Sequence, residues 1–358
     1  MGTASTPTLE TIARRLNVSK VTVSLAMRGS RRISEKMRER VATVAAQVGY
    51  TPNPMVSALM VNLRSQRRGG RKFNLCFLTA FPDRDGWQRF HPTFPRMHAG
   101  ARERAAELGY GIEIHWTGDA GGSGARLTQI LESRGIPGII LAPLPARGGV
   151  TLGLDWSRFA TVALGHTFTE VPCNRVSNHQ FHSVTTALEV CYRRGFRRIG
   201  LVIPPLSDAK VEHAWQAGYL TFQVNHRAMR RLPPMMSGEF TETAVVAWAA
   251  RSRPEVVVTT HTHVLPWLRR AGHRVPEDIA CVHLDWTPER SEFAGIDQQP
   301  EQIGAAAVDQ LVEQINQNRR GIPDSPRTLL TEGIWRDGST LTPEGLAEAG
   351  PDRTRVSV

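Results

Sequence analysis

Between Leu9 and Val48 the apolar residues come in short helical packets, and their brevity constrains the fold more than any other feature of the chain. Leu9, Ile12, Ala13 and Leu16 recur at i, i+3, i+4 and i+7 behind Thr8, a sound helix N-cap. The period stops at Asn17-Val18. Ser19 can cap a second packet running to about Met27, with Val23, Ala26 and Met27 inward, and Gly29-Ser30 ends it. Ser34 caps a third, in which Met37, Val41, Val44, Ala45 and Val48 share a face and Gly49 closes the helix. Helices this short need one another's apolar faces to be stable. Helix, tight turn, helix and a supporting helix is the helix-turn-helix plan, whose second helix lies in a major groove with its first residues on base edges. A plain structural bundle is the competing reading, and the charge of the outer face argues against it.

That charge is lopsided. The chain carries 44 Lys+Arg against 33 Asp+Glu, a net charge of +11. Residues 1–72 hold 14 of the Lys/Arg against only Glu10, Glu35 and Glu39, so all of the excess lies there and the remainder is neutral. Basic residues interleaved with a periodic apolar face suit a polyanion held by counterion release.

Tyr50-Thr51-Pro52-Asn53-Pro54 is expected to be extended, because a residue before proline avoids the helical region. Asn53 then caps a small helix with Pro54 at its first position, followed by Met55, Val56, Ala58, Leu59 and Met60. This helix is too apolar to be exposed and too short to stand alone. A minor-groove wedge is one surface that would cover it. A basic linker, Arg67-Arg68-Gly69-Gly70-Arg71-Lys72, follows.

On these residues the chain resembles the LacI/GalR family of bacterial repressors. The matching pieces are TLETIARRLNVS, TVS, RISEKMRERV and GYTPNP with SALMVNLR. The resemblance implies that Thr8, Ser19, Thr22, Ser24 and Arg28 anchor phosphates, that Lys20 and Val21 read bases, and that Arg32 lies near the backbone. It also implies a hinge helix, capped by Asn53, that levers Leu59 into the minor groove beside its dimer mate. Leu25 stands where many members carry a guanine-reading arginine, a contact of roughly 1–3 kcal/mol. Different base preferences are therefore expected, with Lys20 and Arg28 carrying more of the readout.

From residue 73 the pattern changes. Apolar runs of strand length (Phe73–Ala80, Tyr110–His115, Gly138–Ala142, Thr161–Gly165, Ile199–Ile203, Glu255–Thr260, Ile279–His283) alternate with helical periods. The helical periods lie near 90–108, 125–134, 183–194, 209–224, 264–271 and 302–318. Such alternation predicts parallel sheets covered on both faces, and the number of units favours two Rossmann-like lobes. The expected fold class is thus an all-α helix-turn-helix headpiece followed by an α/β two-lobed, periplasmic-binding-protein-like domain. The expected domains are 1–50 for the headpiece, 51–72 for hinge helix and linker, 73–342 for the two lobes and 343–358 for a tail. By the resemblance, lobe one is 73–177 plus 301–327 and lobe two is 178–300 plus 328–342, with crossings near 177, 300 and 328.

Catalytic and cofactor signatures are missing. No G-x-G-x-x-G, P-loop or G-x-S-x-G occurs, and Gly121-Gly122-Ser123-Gly124 reads as a loop. His261-Thr262-His263 has no neighbours to complete a metal set. Cys76, Cys173, Cys191 and Cys281 are far apart and are expected to be buried free thiols of a reducing cytoplasm. Neither a leader at Met1 nor an apolar run near ~18 residues is found, so a cytoplasmic protein without a membrane span is expected. No enzyme activity and no cofactor are expected; the rival readings are a solute-binding protein without DNA regulation and, further off, a carbohydrate-active enzyme. The implied partners are a double-stranded DNA operator, a second copy of the chain and a small-molecule effector, with a saccharide as one candidate. The resemblance puts Thr79, His166, Trp215, Thr260, His261 and Asp285 around the effector. Here Gly165-His166, Trp215 and Thr260-His261 replace the acid, arginine and Asn-Asp of sugar-binding members, and Asp285 alone remains. Core packing of Trp215 and Trp286 is the competing reading.

Overall fold

The computed structural model describes residues 8–27, 33–48, 50, 73–236 and 239–341. The first unit holds three helices, α1 (Leu9–Leu16), α2 (Lys20–Met27) and α3 (Glu35–Gln47). Ile12, Ala13, Val23, Ala26, Val41 and Ala45 are buried together at its centre. The turn between α1 and α2 works because Asn17 accepts a left-handed backbone, φ 53°, and its N–H returns to the carbonyls of Ala13 and Arg14. The expected wedge helix at 54–61, its cap Asn53, Leu59, Arg28 and Arg32 lie outside the described residues, as does the tail.

Two sheets follow. The first contains β1 (Phe73–Thr79), β2 (Tyr110–Trp116), β3 (Gly138–Leu141), β4 (Ala160–Leu164), β5 (Asn174–Asn178) and the late strand Thr328–Thr331. All six are parallel, in the order Thr328–Thr331, β5, β4, β3, β1, β2. Side chains of β1 alternate between two cores: Leu75 and Phe77 face one, Cys76 and Leu78 the other. The second sheet contains β6 (Ile199–Val202), β7 (Val256–Thr259), β8 (Ala280–His283), β9 (Ala294–Asp297) and the antiparallel edge strand Ile334–Arg336. Buried, unbroken Val/Ile/Leu runs in the central strands are what helices on both faces require.

The chain crosses between lobes after β5, after β9 and at 332–333. The third crossing corrects the expected boundary at 328. Thr328–Thr331 hydrogen-bonds to β5 and so completes the first sheet, and only Ile334–Arg336 belongs to the second.

Two expected helices start later than expected, each after a break that separates it from a short helix lying almost wholly before the expected span. Around the 90–108 period lie Gly86–Phe90 and Thr93–Glu107, parted because Pro92 forces His91 into an extended conformation (φ −156°). Around the 209–224 period lie Pro205–Ala209 and Ala214–Asn225, separated by Glu212 and His213 with left-handed backbones. Both breaks lie where one lobe touches the other.

Candidate nucleic-acid interface and interlobe cleft

The exposed end of the three-helix unit is the start of α2. Ser19 Oγ accepts the Thr22 N–H at 3.0 Å and lies 2.9 Å from Thr22 Oγ1, so two hydroxyls cap the helix and its free N–H groups point outward. Thr8 does the same for α1, in a reciprocal pair with Thr11. Lys20 and Val21 project from the first turn of α2. Val21 is 66% exposed, an apolar surface that the core does not use. Lys20 is exposed and pairs with Glu10, and the Lys20 ammonium, with Arg14 adding to it, holds the Glu10 carboxyl below the usual carboxylate range. Thr22, Ser24 and Leu25 are half-buried on the flank of the same helix. Cations, hydroxyls and a methyl-rich side chain on one helix end are the groups that meet phosphates and thymine methyls.

The second candidate site lies between the lobes, where the C-terminal ends of both sets of parallel strands meet, the usual binding edge of such sheets. Asp285, just beyond β8, is buried and reaches across to lobe one. Thr93 Oγ1 donates to its carboxylate at 3.1 and 3.3 Å, and His91 Nε2 lies 3.2 Å away. From its own lobe, Arg290 Nη1 donates to its carbonyl at 3.1 Å and its carboxylate at 3.4 Å. On the other side Glu212 pairs with Arg147 at 2.7 Å and faces His166 Nδ1 at 3.4 Å. Burial lowers the pKa of His166, with Glu212 opposing the shift. Lys210 lies with its ammonium 4.6 Å from the centre of the Phe90 ring.

Thr79 is fully buried and its hydroxyl donates to the His115 carbonyl at 3.4 Å. Beyond β7, Thr260 Oγ1 and His261 Nδ1 are buried without a hydrogen-bond partner in the protein. The His261 ring stacks on Trp267, and burial, with the charges of His263 and Arg290, keeps its pKa low. Trp215 does not join them. It is 3% exposed and packs in the lobe-two core with Tyr219 and Phe222, the inward residues of its own helix, which is why it cannot serve as a stacking platform. Sequence reasoning missed His91, Thr93, Arg147, Lys210, Glu212 and Arg290. The one signal available was Pro92, which marks the break that brings His91 and Thr93 to the cleft. Among the described residues no group of three His, Cys, Asp or Glu side chains could hold a metal, and no helix is long and apolar enough to cross a membrane. All four cysteines are buried and unpaired.

Residues 8–53 match the bacterial regulatory proteins of the LacI family, and residues 188–339 match the periplasmic-binding-protein-like domain. The chain thus joins a LacI-family DNA-binding domain to a periplasmic-binding-protein-like domain. It is similar to the HTH-type transcriptional repressor CytR of Escherichia coli K12, 24% identical over 297 residues that span 78% of this chain and 80% of the relative. A ribose operon repressor of Haemophilus influenzae is 26% identical over 215 residues, 59% of each chain. Among solved structures, the Lac repressor dimer bound to operator and an anti-inducer superposes with a TM-score of 0.56 at 18% identity, covering 94% of this chain and 99% of the other. The CelR–cellobiose complex gives 0.55 at 20% identity, over 93% and 99%. At such identities these two establish the LacI-type fold, a headpiece joined to a two-lobed domain.

Proposed function

We propose that this protein is a LacI-family repressor that grips a two-fold operator as a homodimer and changes its grip when a small molecule enters the interlobe cleft. The observation that carries this reading is the first turn of α2: exposed Lys20 and Val21 beside the Ser19–Thr22 cap, on a unit whose core is already complete without them. In this reading Lys20 and Val21 meet base edges, and Thr8, Ser19, Thr22 and Ser24 meet phosphates. Arg28, Arg32, Asn53 and Leu59 extend the contact into the flanking backbone and minor groove. The cytoplasm is the compartment where such a protein works, and no catalytic role is assigned to it.

Effector control follows from geometry and linkage. A ligand that binds one lobe arrangement better than another shifts the balance between them, and only by its difference in affinity. The names of relatives, a ribose operon repressor, a CelR–cellobiose complex and a Lac repressor with the anti-inducer ONPF, support a small metabolite as the ligand.

Selection from random DNA duplexes with the full chain tests the reading. The expected product is an inverted repeat whose binding weakens steeply with salt, bound by two chains per duplex in sedimentation. Lys20→Ala should cost about 1–3 kcal/mol on the selected duplex and relax preference at one position per half-site. Recovery of no preferred sequence, or of binding indifferent to salt, would end it.

A further inference from the structure

The cleft groups differ in kind from what a neutral polyhydroxyl ligand would use. Asp285, the acid expected to accept ligand hydroxyls, is saturated by Thr93, His91 and Arg290. Two cations at the same edge meet no carboxylate among the described residues. Lys210 faces only the Phe90 ring, because nearby Asp208 gives its carboxylate to His213 and the Gln216 N–H. Arg175 directs its guanidinium to the carbonyls of Gly165 and Phe168, in the loop that also carries His166. In the loop after β7, Thr260 Oγ1 and His261 Nδ1 are buried polar atoms without partners, whereas the Trp286 ring packs against Leu265, Cys281 and Phe293 beneath the Arg336 guanidinium.

Topology brings these groups together. The second sheet runs β6, β7, β8, so Lys210 (after β6), Thr260 and His261 (after β7), and Asp285 (after β8) stand in a row. The Phe90–Thr93 break of lobe one leans over both ends of that row, touching Lys210 at one end and Asp285 at the other. An unpaired ammonium and an unpaired hydroxyl in a partly dry site are costly unless an acceptor arrives.

We propose that the cleft takes a small anion, a compound carrying carboxylate or phosphoryl oxygens, held by Lys210 and Arg175 and by the hydroxyl of Thr260. The proposal rests on the cleft being the effector site. Charge-assisted bonds to such oxygens are stronger than neutral ones, and both sources supply the same acceptor geometry.

Thermal unfolding of the full chain with glucose, glucuronate and glucose 6-phosphate, at matched ionic strength, tests it. One or both anions should raise Tm with increasing concentration, their difference telling carboxylate from phosphate, and glucose should not. Lys210→Gln and Thr260→Val should each weaken the anion by about tenfold or more, the worth of one charge-assisted bond. Glucose acting as well as the anions, no shift with either anion, or variants that leave the shift unchanged would overturn the proposal. Binding to the selected duplex, measured without these compounds, separates the outcomes. If duplex binding holds and the anions fail, only the ligand class is wrong; if duplex binding fails, the regulator reading falls first.

Discussion

Lys20 has a partner before any duplex arrives. Its ammonium pairs with Glu10, one helix back, so DNA must displace a carboxylate to use it. Both groups are exposed, and exposed pairs are weak, so the competition is mild. Glu10→Gln is expected to tighten duplex binding a few-fold at low salt, and the gain should vanish in a Lys20→Ala background. A double-mutant cycle read by fluorescence anisotropy checks this, and an unchanged gain in that background would show that Glu10 acts on phosphates directly. Trp215 presents the opposite case, a residue whose type suggested ligand stacking and whose place is the core. Trp215→Ala should cost about 3–5 kcal/mol in urea denaturation, as for other large core truncations. A variant of normal stability that had lost ligand binding would return Trp215 to the cleft.

Helices Thr93–Glu107 and Pro300–Asn316 pack closely because each contributes a glycine to the contact. A Cβ on Gly100 would overlap the Glu301 carbonyl, and one on Gly304 would overlap that of Met97. Backbone cannot yield as a side chain can, so Gly304→Ala is expected to destabilise by about 1–3 kcal/mol, despite the better helix propensity of alanine. Thermal unfolding checks it; a neutral or stabilising result would mean the helices can slide apart. Periodicity made both of these helices, all three headpiece helices and seven strands legible, because each buries a regular stripe or an unbroken run. It did not show the strand Asn174–Asn178, whose residues are mostly polar, the four-residue strand Ala294–Asp297, the helix Glu242–Ser252, or the edge strands Thr328–Thr331 and Ile334–Arg336, short and largely exposed. It also ran through the breaks at His91 and at Glu212-His213, since apolar spacing continues on both sides. The headpiece site was readable because helix caps and a charged face are local in sequence. The cleft was not, because Asp285 meets Thr93 across 192 residues and nothing in either segment names the other.

The whole body is two lobes joined by three crossings and held together by polar contacts, of which the Asp285 and Glu212 clusters are the main ones. A buried histidine stands beside one of them. His283 ends β8, is fully buried, and accepts the Asp285 N–H on Nδ1 at 3.1 Å, so the neutral ring is what the fold requires. Burial pushes its pKa down to about 4, although Asp285 pulls the other way. An unfolded chain takes up that proton near pH 6.5, whereas the native state refuses it until about pH 4. The unfolded state therefore binds more protons across that window, and stability must fall as pH drops from 6.5 towards 4, by up to roughly 3 kcal/mol for this group. His98, His115, His166 and His261 are shifted in the same direction, chiefly by burial, and add to the slope. Depressed carboxylates act mainly below this range, as with Asp278 at about 2, so the interval from pH 6.5 to 5 reports largely on histidines. Urea denaturation at pH 7.0 and 5.0 should show lower stability at 5.0, and His283→Gln should shrink the difference without abolishing it. Equal stability at the two pH values would mean that His283 is protonated in the native state, and that the strand end carrying Asp285 is open to water.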